Sequence, residues 1–205
     1  MLDLSLQTVL YRLVAMAVLV GIHGLSIALV ARLFGAKGPQ YDGRLTPNPL
    51  VHLDLLATIP FILFQIGWIR PVAIDAAELR GGKASLWAVA MLSLLLTLAA
   101  IMLIWLARPW LATVIPNVAA ASAATTAIRV LLEMTTWFVI INILPIPPLT
   151  MGMALGSIAP RAFALATRYG LVVRLALIAL AALAAGLALR PVFQAVFSMV
   201  SLGRA

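Results

Sequence analysis

The chain has 205 residues, of which 64% are hydrophobic and 10% charged, a balance that excludes an ordinary soluble globular domain. Its net charge of +8 would suggest nucleic acid in a soluble protein. Here, however, the basic residues lie mostly at the ends of apolar runs, where they meet lipid headgroups, and no basic cluster with interleaved aromatic residues is present. The absence of cysteine excludes disulfides, thiolate zinc sites and iron–sulfur clusters. We therefore expect an integral membrane protein that binds no nucleic acid.

The first apolar run is predicted to form a membrane span over residues 10–34. Runs of about 18 or more apolar residues are long enough to cross roughly 30 Å of hydrocarbon. A turn-rich loop follows over 35–49. Its centre, 41–46, is compatible with a hairpin that turns at Asp42-Gly43.

A second span is predicted over 51–69, and its signal is weak. Pro60 kinks it, and His52 and Asp54 lie at its start, so a re-entrant segment is the alternative. If this segment crosses, the basic residues before and after it lie on opposite faces of the membrane. The positive-inside count then gives no orientation. An amphipathic or surface stretch over 68–83 leads to the next span.

The third span, 84–107, is the clearest in the chain, and Arg108-Pro109-Trp110 is predicted to anchor its end at the membrane interface. Residues 109–124 are predicted to form a connection. The fourth span, 125–145, contains Arg129 and Glu133, whose spacing of one helical turn lets the two charges pair.

The fourth span ends in a proline-rich stretch, 142–152, which begins with Asn142 and contains Pro145, Pro147 and Pro148. Each proline removes a backbone donor and pushes the residue before it out of the helical region. Extended backbone at membrane depth survives only where protein or a water-filled cavity satisfies its polar groups. The stretch is therefore predicted to frame a site.

The rest of the chain is predicted to hold a short or re-entrant helix over 153–168, a last span over 169–189 and an apolar tail. Gly152-x-x-x-Gly156 indicates close helix packing, either within this chain or against other membrane subunits. The prediction is an all-α integral membrane protein with five, or at most six, spans and a re-entrant or short hairpin element. The whole chain, 1–205, is expected to be one membrane domain, with a C-terminal helix and tail over 156–205.

His23 is the first candidate for chemistry, because ionisable groups within a span are costly and are functional by default. A catalytic zinc needs about three protein ligands, and one imidazole alone cannot hold it. A site built from His23, His52 and Asp54 is conceivable, but His52 and Asp54 are two apart and do not share a helix face. A histidine hydrogen-bonded within the bundle, and a polar entry to the second span, are the simpler interpretations.

Two other candidates are weaker. Ser26 lies one turn from His23, but such a contact is usually structural, and no nucleophilic arrangement is evident. Arg129 and Glu133 could belong to an ion path, although a pair of this kind more often neutralises itself. No phosphate-binding loop or dinucleotide fingerprint is present. No cofactor is expected.

Several blocks, in order, resemble the site-2 protease family, the intramembrane zinc peptidases called M50. His23 stands where the family's zinc-helix motif begins. Residues 43–54 are very similar to the family pattern G-R-L-T-x-N-P-x-x-H-x-D. The residues of this block that we expect to be structural or interaction residues are Gly43, Arg44, Asn48, Pro49, His52 and Asp54.

Two later blocks extend the resemblance to about residues 20–155. Residues 67–72, with Arg70 and Pro71, are similar to G-W-x-K-P-V, and residues 142–149 are similar to N-L-L-P-I-P-P-L. The family follows the last motif with D-G. The resemblance implies a site-2-protease-like core in which the prolines present a ligand beside the zinc helix.

The departures from the family fall where its chemistry would be. The resemblance implies that positions 23 and 27 and the D-G aspartate bind zinc and that a glutamate at position 24 is the general base. Only His23 matches: Gly24 replaces the base, and Ile27 and Thr150 replace the other two ligands. The family's G-P-x-x-N element is also missing at 89–93. The resemblance therefore implies a chain with no catalytic residue and no metal site, since zinc hydrolysis needs both an activated water and a base.

These observations predict a catalytically inactive M50-like pseudoenzyme in a bacterial inner membrane. We expect it to act as a structural or accessory subunit that contacts the lipid bilayer and other integral membrane subunits, or to bind partner transmembrane helices in the old groove. The alternatives are an active intramembrane metallopeptidase with an unusual metal site, and a small transporter or channel around Arg129 and Glu133.

Overall fold

A computed structural model describes residues 5–183 and 189–203, and every regular element in these residues is helical. A single 3-10 turn, Gly82–Ala84, precedes the longest helix. The helices are α1 Leu6–Leu33, α2 Gly38–Tyr41, α3 Pro49–His52, α4 Leu55–Phe64, α5 Ser85–Val114, α6 Val118–Asn142, α7 Gly152–Ile158, α8 Pro160–Arg168, α9 Gly170–Leu183 and α10 Arg190–Val200.

In the described part of the chain, α1, α5 and α6 are the three helices long and apolar enough to cross a membrane. Their 28, 30 and 25 residues correspond to roughly 38–45 Å at about 1.5 Å per residue. The first, third and fourth predicted spans are therefore confirmed as helices. α8 and α9, which meet at 87°, form a fourth candidate if they count as one broken span. A count of five or six spans stays a prediction.

The three long helices pack against one another and enclose the core. Their contacts bury aliphatic and aromatic side chains in the middle of each helix, where a membrane protein gains stability from close van der Waals packing. The most buried of these residues are Leu19, Val20, Ile27, Leu94, Ile101, Leu132, Met134 and Phe138.

The second predicted span does not cross as one helix. α4 has ten residues, which cover about 15 Å, half the hydrocarbon thickness. Gln65 then takes a left-handed conformation with φ 62° and ends α4, and the chain turns back. The Arg70 N–H donates to the His52 carbonyl at 2.7 Å. Residues 53–70 thus leave and return at one level, which agrees with the re-entrant alternative.

Two further sequence predictions need correction. No hairpin forms at 41–46: within the described residues there is no strand, and the N–H groups of Asp42 and Arg44 bond to carbonyls four and five residues earlier, as in a helical turn. The connection predicted over 109–124 shrinks to 115–117. α5 continues through Pro109, because a proline inside a membrane helix is tolerated where its surroundings satisfy the freed carbonyl.

The proline-rich stretch turns the chain between α6 and α7. Asn142 ends α6, and its backbone carbonyl accepts the Met151 N–H at 3.0 Å across the stretch. The residues predicted to form a short or re-entrant helix then fold as α7 and α8. Gly152 begins α7 directly against the backbone of Ile146 and Pro147. The close packing predicted for Gly152 is therefore made within this chain.

We expect Gly152→Ala to destabilise the protein and Gly156→Ala to leave it unchanged. A Cβ at Gly152 would lie 2.5 Å from backbone atoms of Ile146 and Pro147, whereas one at Gly156 would meet only the Phe163 ring at 3.5 Å. Overpacking of this kind costs about 1–3 kcal/mol. Thermal unfolding of both variants in the same detergent checks this. Equal melting temperatures for the two variants would contradict the described packing.

Candidate functional site

His23 lies buried among the three long helices, with both ring nitrogens in hydrogen-bonding contact. Its Nδ1 is 2.8 Å from Thr97 Oγ1 on α5, and its Nε2 is 2.9 Å from Thr150 Oγ1 in the proline-rich stretch. The Phe138 ring packs edge-to-face against the imidazole, with centroids 4.7 Å apart. His23 therefore connects α1, α5 and the residues after α6.

The number of protons available around His23 can be compared with the number of its hydrogen-bonding contacts. Thr97 Oγ1 also lies 2.7 Å from the Ser93 carbonyl, and Thr150 Oγ1 lies 3.0 Å from Asn142 Oδ1. A neutral histidine and two hydroxyls supply three protons for these four contacts. In either tautomer, one ring nitrogen donates to a threonine hydroxyl, and the lone pair of the other ring nitrogen faces a threonine hydroxyl. One of the four contacts is left without a proton.

Asn142 fixes the position of Thr150. Its Nδ2 donates to the carbonyls of Gly67 and Phe138, both at 2.9 Å. Its Oδ1 accepts the backbone N–H of Thr150 at 3.0 Å and faces the Thr150 hydroxyl. One buried amide thus joins the end of α6, the chain returning from α4 and the proline-rich stretch.

His52 occupies the space beside Gly24. A Cβ built on Gly24 would overlap the His52 ring, so any side chain at position 24 would have to displace it. The His52 Nε2–H donates to the Thr46 carbonyl at 3.0 Å, while its buried Nδ1 has no hydrogen-bond partner within the described residues. Burial lowers the pKa of His52 from 6.5, the Thr46 hydrogen bond opposes this, and the Arg44 charge adds to the lowering. The His52 ring is thus held against Gly24 of α1.

Asp54 belongs to a different set of contacts. Its carboxylate caps α4 through the Leu56 N–H at 3.0 Å, accepts the Trp68 indole N–H at 3.1 Å and pairs with Arg174 of α9 at 3.4 Å. In the described residues, no three His, Cys, Asp or Glu side chains are close enough to share a metal ion. The site conceived from His23, His52 and Asp54 is not formed.

The residues present do not fit the zinc that the resemblance implies. Of its three ligand positions, His23 supplies the only usual zinc ligand, because Ile27 has no donor atom and Thr150 presents a neutral hydroxyl. Zinc sites use thiolate, imidazole and carboxylate groups. Here both nitrogens of the remaining imidazole lie at hydrogen-bonding distance from threonine hydroxyls. We therefore derive no chemistry through a metal.

A cavity of about 310 Å³ lies beside this centre. Ile27 and Thr150, the two other positions where the resemblance implies zinc ligands, line this cavity, and so do residues at the bend between α8 and α9. The remaining lining is largely apolar, apart from Thr167 and Arg174. The larger apolar side chains that line the cavity are Ile69, Pro71, Val72, Pro147, Pro148, Leu149, Met153 and Phe163.

The remaining sequence candidates take structural positions. Ser26 Oγ donates to the Ile22 carbonyl at 2.7 Å, so its described hydrogen bond is not to His23. Arg129 and Glu133 form the predicted pair at 3.1 Å, with the arginine side chain 55% exposed and the glutamate 24%. Neither lines the cavity beside Thr150.

The matched motif 43–54 builds the support for His52. Asn48 caps α3 by accepting the Leu50 N–H at 3.1 Å, and Pro49 is the first residue of that helix. Arg44 is buried, and its guanidinium donates to the Arg70 carbonyl at 3.4 Å. Gly43 takes φ +67° in the turn before Arg44.

The remaining proline of the matched block 142–149, Pro145, lies in the turn after α6.

Sequence reasoning missed Thr97 and Arg174. Thr97 gave no signal, because a threonine in an apolar span usually bonds to its own helix. Arg174 did give one: a lone arginine inside an apolar run calls for a carboxylate partner, and Asp54 at the start of the weak second span was a candidate.

Comparison with known proteins gives a partial match. A stretch of 65 residues, 32% of this chain, is 37% identical to a Bacillus subtilis (strain 168) protein named "Putative zinc metalloprotease YwhC". The match covers 30% of that protein, so the chain spans less than a third of this curated relative. No protein-family model matches the chain, and no solved structure gives a significant match. The similarity to a zinc metalloprotease is therefore distant and partial.

We expect Thr150→Val to destabilise the protein more than Thr135→Val. Thr150 is shared by His23 and Asn142, whereas Thr135, which is also buried, bonds to the Leu131 carbonyl of its own helix. Leaving a buried polar group unsatisfied costs about 1–3 kcal/mol. Unfolding of both variants in one detergent measures the difference. A Thr150→Val variant as stable as Thr135→Val would contradict a connecting role for this hydroxyl.

Proposed function

We propose that the chain is a degenerate site-2-protease-like membrane protein that does not hydrolyse peptide bonds. In this proposal it serves as a structural or accessory subunit in a bacterial inner membrane and binds partner transmembrane helices. The partial similarity to a protein named as a zinc metalloprotease supports the relationship. The motif blocks and the local geometry support the loss of activity.

The observation that carries this proposal is the 2.9 Å contact between His23 Nε2 and Thr150 Oγ1. These are two positions that the resemblance assigns to metal ligands. Two tetrahedral ligands about 2.0–2.1 Å from one zinc would lie roughly 3.3 Å apart, and both would direct lone pairs at the metal. The two atoms here instead share a proton. A hydrogen bond takes the place of a coordination centre.

The position of the general base supports the same conclusion. A glutamate at position 24 would have to enter the volume that the His52 ring fills. His52 is itself held by the Thr46 carbonyl and, through its own carbonyl, by the Arg70 N–H. Without a base near a metal-bound water, metal-assisted hydrolysis has no proton acceptor. The substitution at 24 and the position of His52 are coupled by packing.

The subunit role rests on what the fold retains. The core of α1, α5 and α6 stays closely packed, while α5 and α9 expose large apolar side chains, among them Leu95, Leu103, Leu171 and Val172. Such faces suit lipid tails or helices of another membrane protein. A closely packed helical core with exposed apolar faces, and without the residues that zinc hydrolysis needs, supports a function in binding other membrane helices.

One experiment separates this proposal from an active peptidase. Protein purified in mild detergent from native membranes is analysed for bound zinc, for cleavage of a transmembrane substrate and for apparent mass. We expect no stoichiometric zinc, no cleavage, and migration in a complex well above the 21.8 kDa of the chain. Zinc with cleavage that His23→Ala abolishes would establish the peptidase. Migration as a free monomer would contradict the subunit role alone.

The coupling between Gly24 and His52 gives a second test. We expect Gly24→Ala to cost about 1–3 kcal/mol of stability, because the added Cβ overlaps the His52 ring. In a His52→Ala background the same substitution should cost much less. Gly170→Ala is the control, since its Cβ would have no neighbour within 4 Å. If the effects of Gly24→Ala and His52→Ala on thermal unfolding are additive, the proposed packing of Gly24 against the His52 ring is contradicted.

A further inference from the structure

The returning loop brings the basic residues on either side of it to one end of the molecule. Arg80 N–H donates to the Phe34 carbonyl at 2.7 Å, and Lys37 N–H donates to Glu78 Oε2 at 2.6 Å. The end of α1 therefore adjoins the start of α5. Arg32, Lys37, Arg80 and Lys83, all exposed, lie at this one end.

α8 lies at the same end. The Trp87 indole, in the first turn of α5, donates to Ser157 Oγ of α7 at 2.9 Å. Phe163 of α8 and Lys83 line one cavity of about 690 Å³. Arg12, Arg108 and Arg190 lie elsewhere: Arg12 bonds to the Ile62 carbonyl, Arg108 is in the last turns of α5, and Arg190 begins α10. Four exposed basic residues, Arg32, Lys37, Arg80 and Lys83, thus lie where α1 ends and α5 begins, at the end where α8 packs.

α8 has the form of a helix that lies on a membrane surface. Arg161 and Arg168 are seven residues apart, so two turns place them on the same face, and both are exposed. Phe163 and Ala166 face the cavity on the other side. α9 leaves α8 at 87° and exposes Leu171, Val172 and Leu175. If α9 descends into hydrocarbon, α8 lies in the plane of the headgroups.

Basic residues outnumber acidic residues on this face, which suits anionic groups. Glu133 is the last acidic residue in the chain, so α7 to α10 contain no Asp or Glu. The carboxylates at this end are Asp42, Asp75 and Glu78, and the last two accept backbone N–H groups of the loops. Within the described residues, neither Arg161 nor Arg168 forms a salt bridge.

We propose that this basic end faces the cytoplasm and that α8 binds anionic phospholipid headgroups of the cytoplasmic leaflet through Arg161 and Arg168. Cytoplasmic loops carry the excess of Lys and Arg, and the re-entrant loop places both flanking basic sets on one side. The cytoplasmic leaflet also carries the anionic lipids, and each surface Lys or Arg adds to the attraction. One charge distribution thus accounts for orientation and for lipid binding.

The lipid arm uses the full chain in nanodiscs of phosphatidylcholine and phosphatidylglycerol. A fluorophore attached through Ala164→Cys, between the two arginines on the helix surface, is quenched by brominated forms of either lipid. We expect preferential quenching by brominated phosphatidylglycerol, with the preference falling about fivefold for each arginine removed. The variants are Arg161→Gln and Arg168→Gln, and Arg190→Gln is the matched control. Equal quenching by the two lipids, or an equal loss in the control, would overturn lipid binding.

The orientation arm exploits the absence of cysteine in the chain. Lys83→Cys and Thr113→Cys, single substitutions at opposite ends of α5, are treated with a membrane-impermeant maleimide in bacterial spheroplasts. We expect Thr113→Cys to react at once and Lys83→Cys to react only after the membrane is opened. The reverse pattern would overturn the cytoplasmic assignment of the basic end.

Salt gives a further control for the nanodisc experiment. If the preference for phosphatidylglycerol is not weakened by 0.5 M salt, the binding is not driven by charge.

Discussion

The hydrogen bonds of the Asn142 side chain determine how the centre of this protein is arranged. Three segments meet there: the chain returning from α4, the last turn of α6 and the proline-rich stretch. Extended backbone in a membrane interior needs internal partners for its polar groups. The Asn142 amide supplies several of them, and it holds Thr150 where its hydroxyl reaches His23. Gly152 then lets α7 begin in contact with the same backbone.

Gly24 and Thr150, at positions where the resemblance implies a base and a zinc ligand, are each coupled to their surroundings. The His52 ring fills the space that a side chain at Gly24 would need. The Thr150 hydroxyl lies within hydrogen-bonding distance of both His23 and Asn142. A glutamate at position 24 or an aspartate at position 150 would therefore disturb contacts that stabilise the present arrangement. A buried polar network of this kind is costly to leave half satisfied.

The loop formed by residues 53–70 has consequences beyond the site. Because Arg70 returns to His52, α1 and α5 lie on either side of a segment that does not cross, and their adjoining ends share one face. This resolves the conflict between two equal sets of basic residues that a crossing second span would create. The charges at that end and the amphipathic α8 then belong to one surface.

The sequence by itself determined the class of protein, three of its long helices and the positions of the blocks around the site. Hydropathy suffices for these, since an apolar run of given length has few alternatives in a bilayer. It also identified His23, Gly24, Ile27 and Thr150 as the positions to compare. It predicted a span over 51–69, where the structure has a ten-residue helix and a return, and it allowed a hairpin over 41–46, which does not form. Short apolar and turn-rich segments take their conformation from the residues that pack against them. Only the tertiary structure decided that Thr97 and Thr150 engage both nitrogens of His23, that His52 lies against Gly24, and that Asp54 pairs with Arg174. Each of these contacts joins residues far apart in the chain, and side-chain pairing across such distances leaves no periodicity to read.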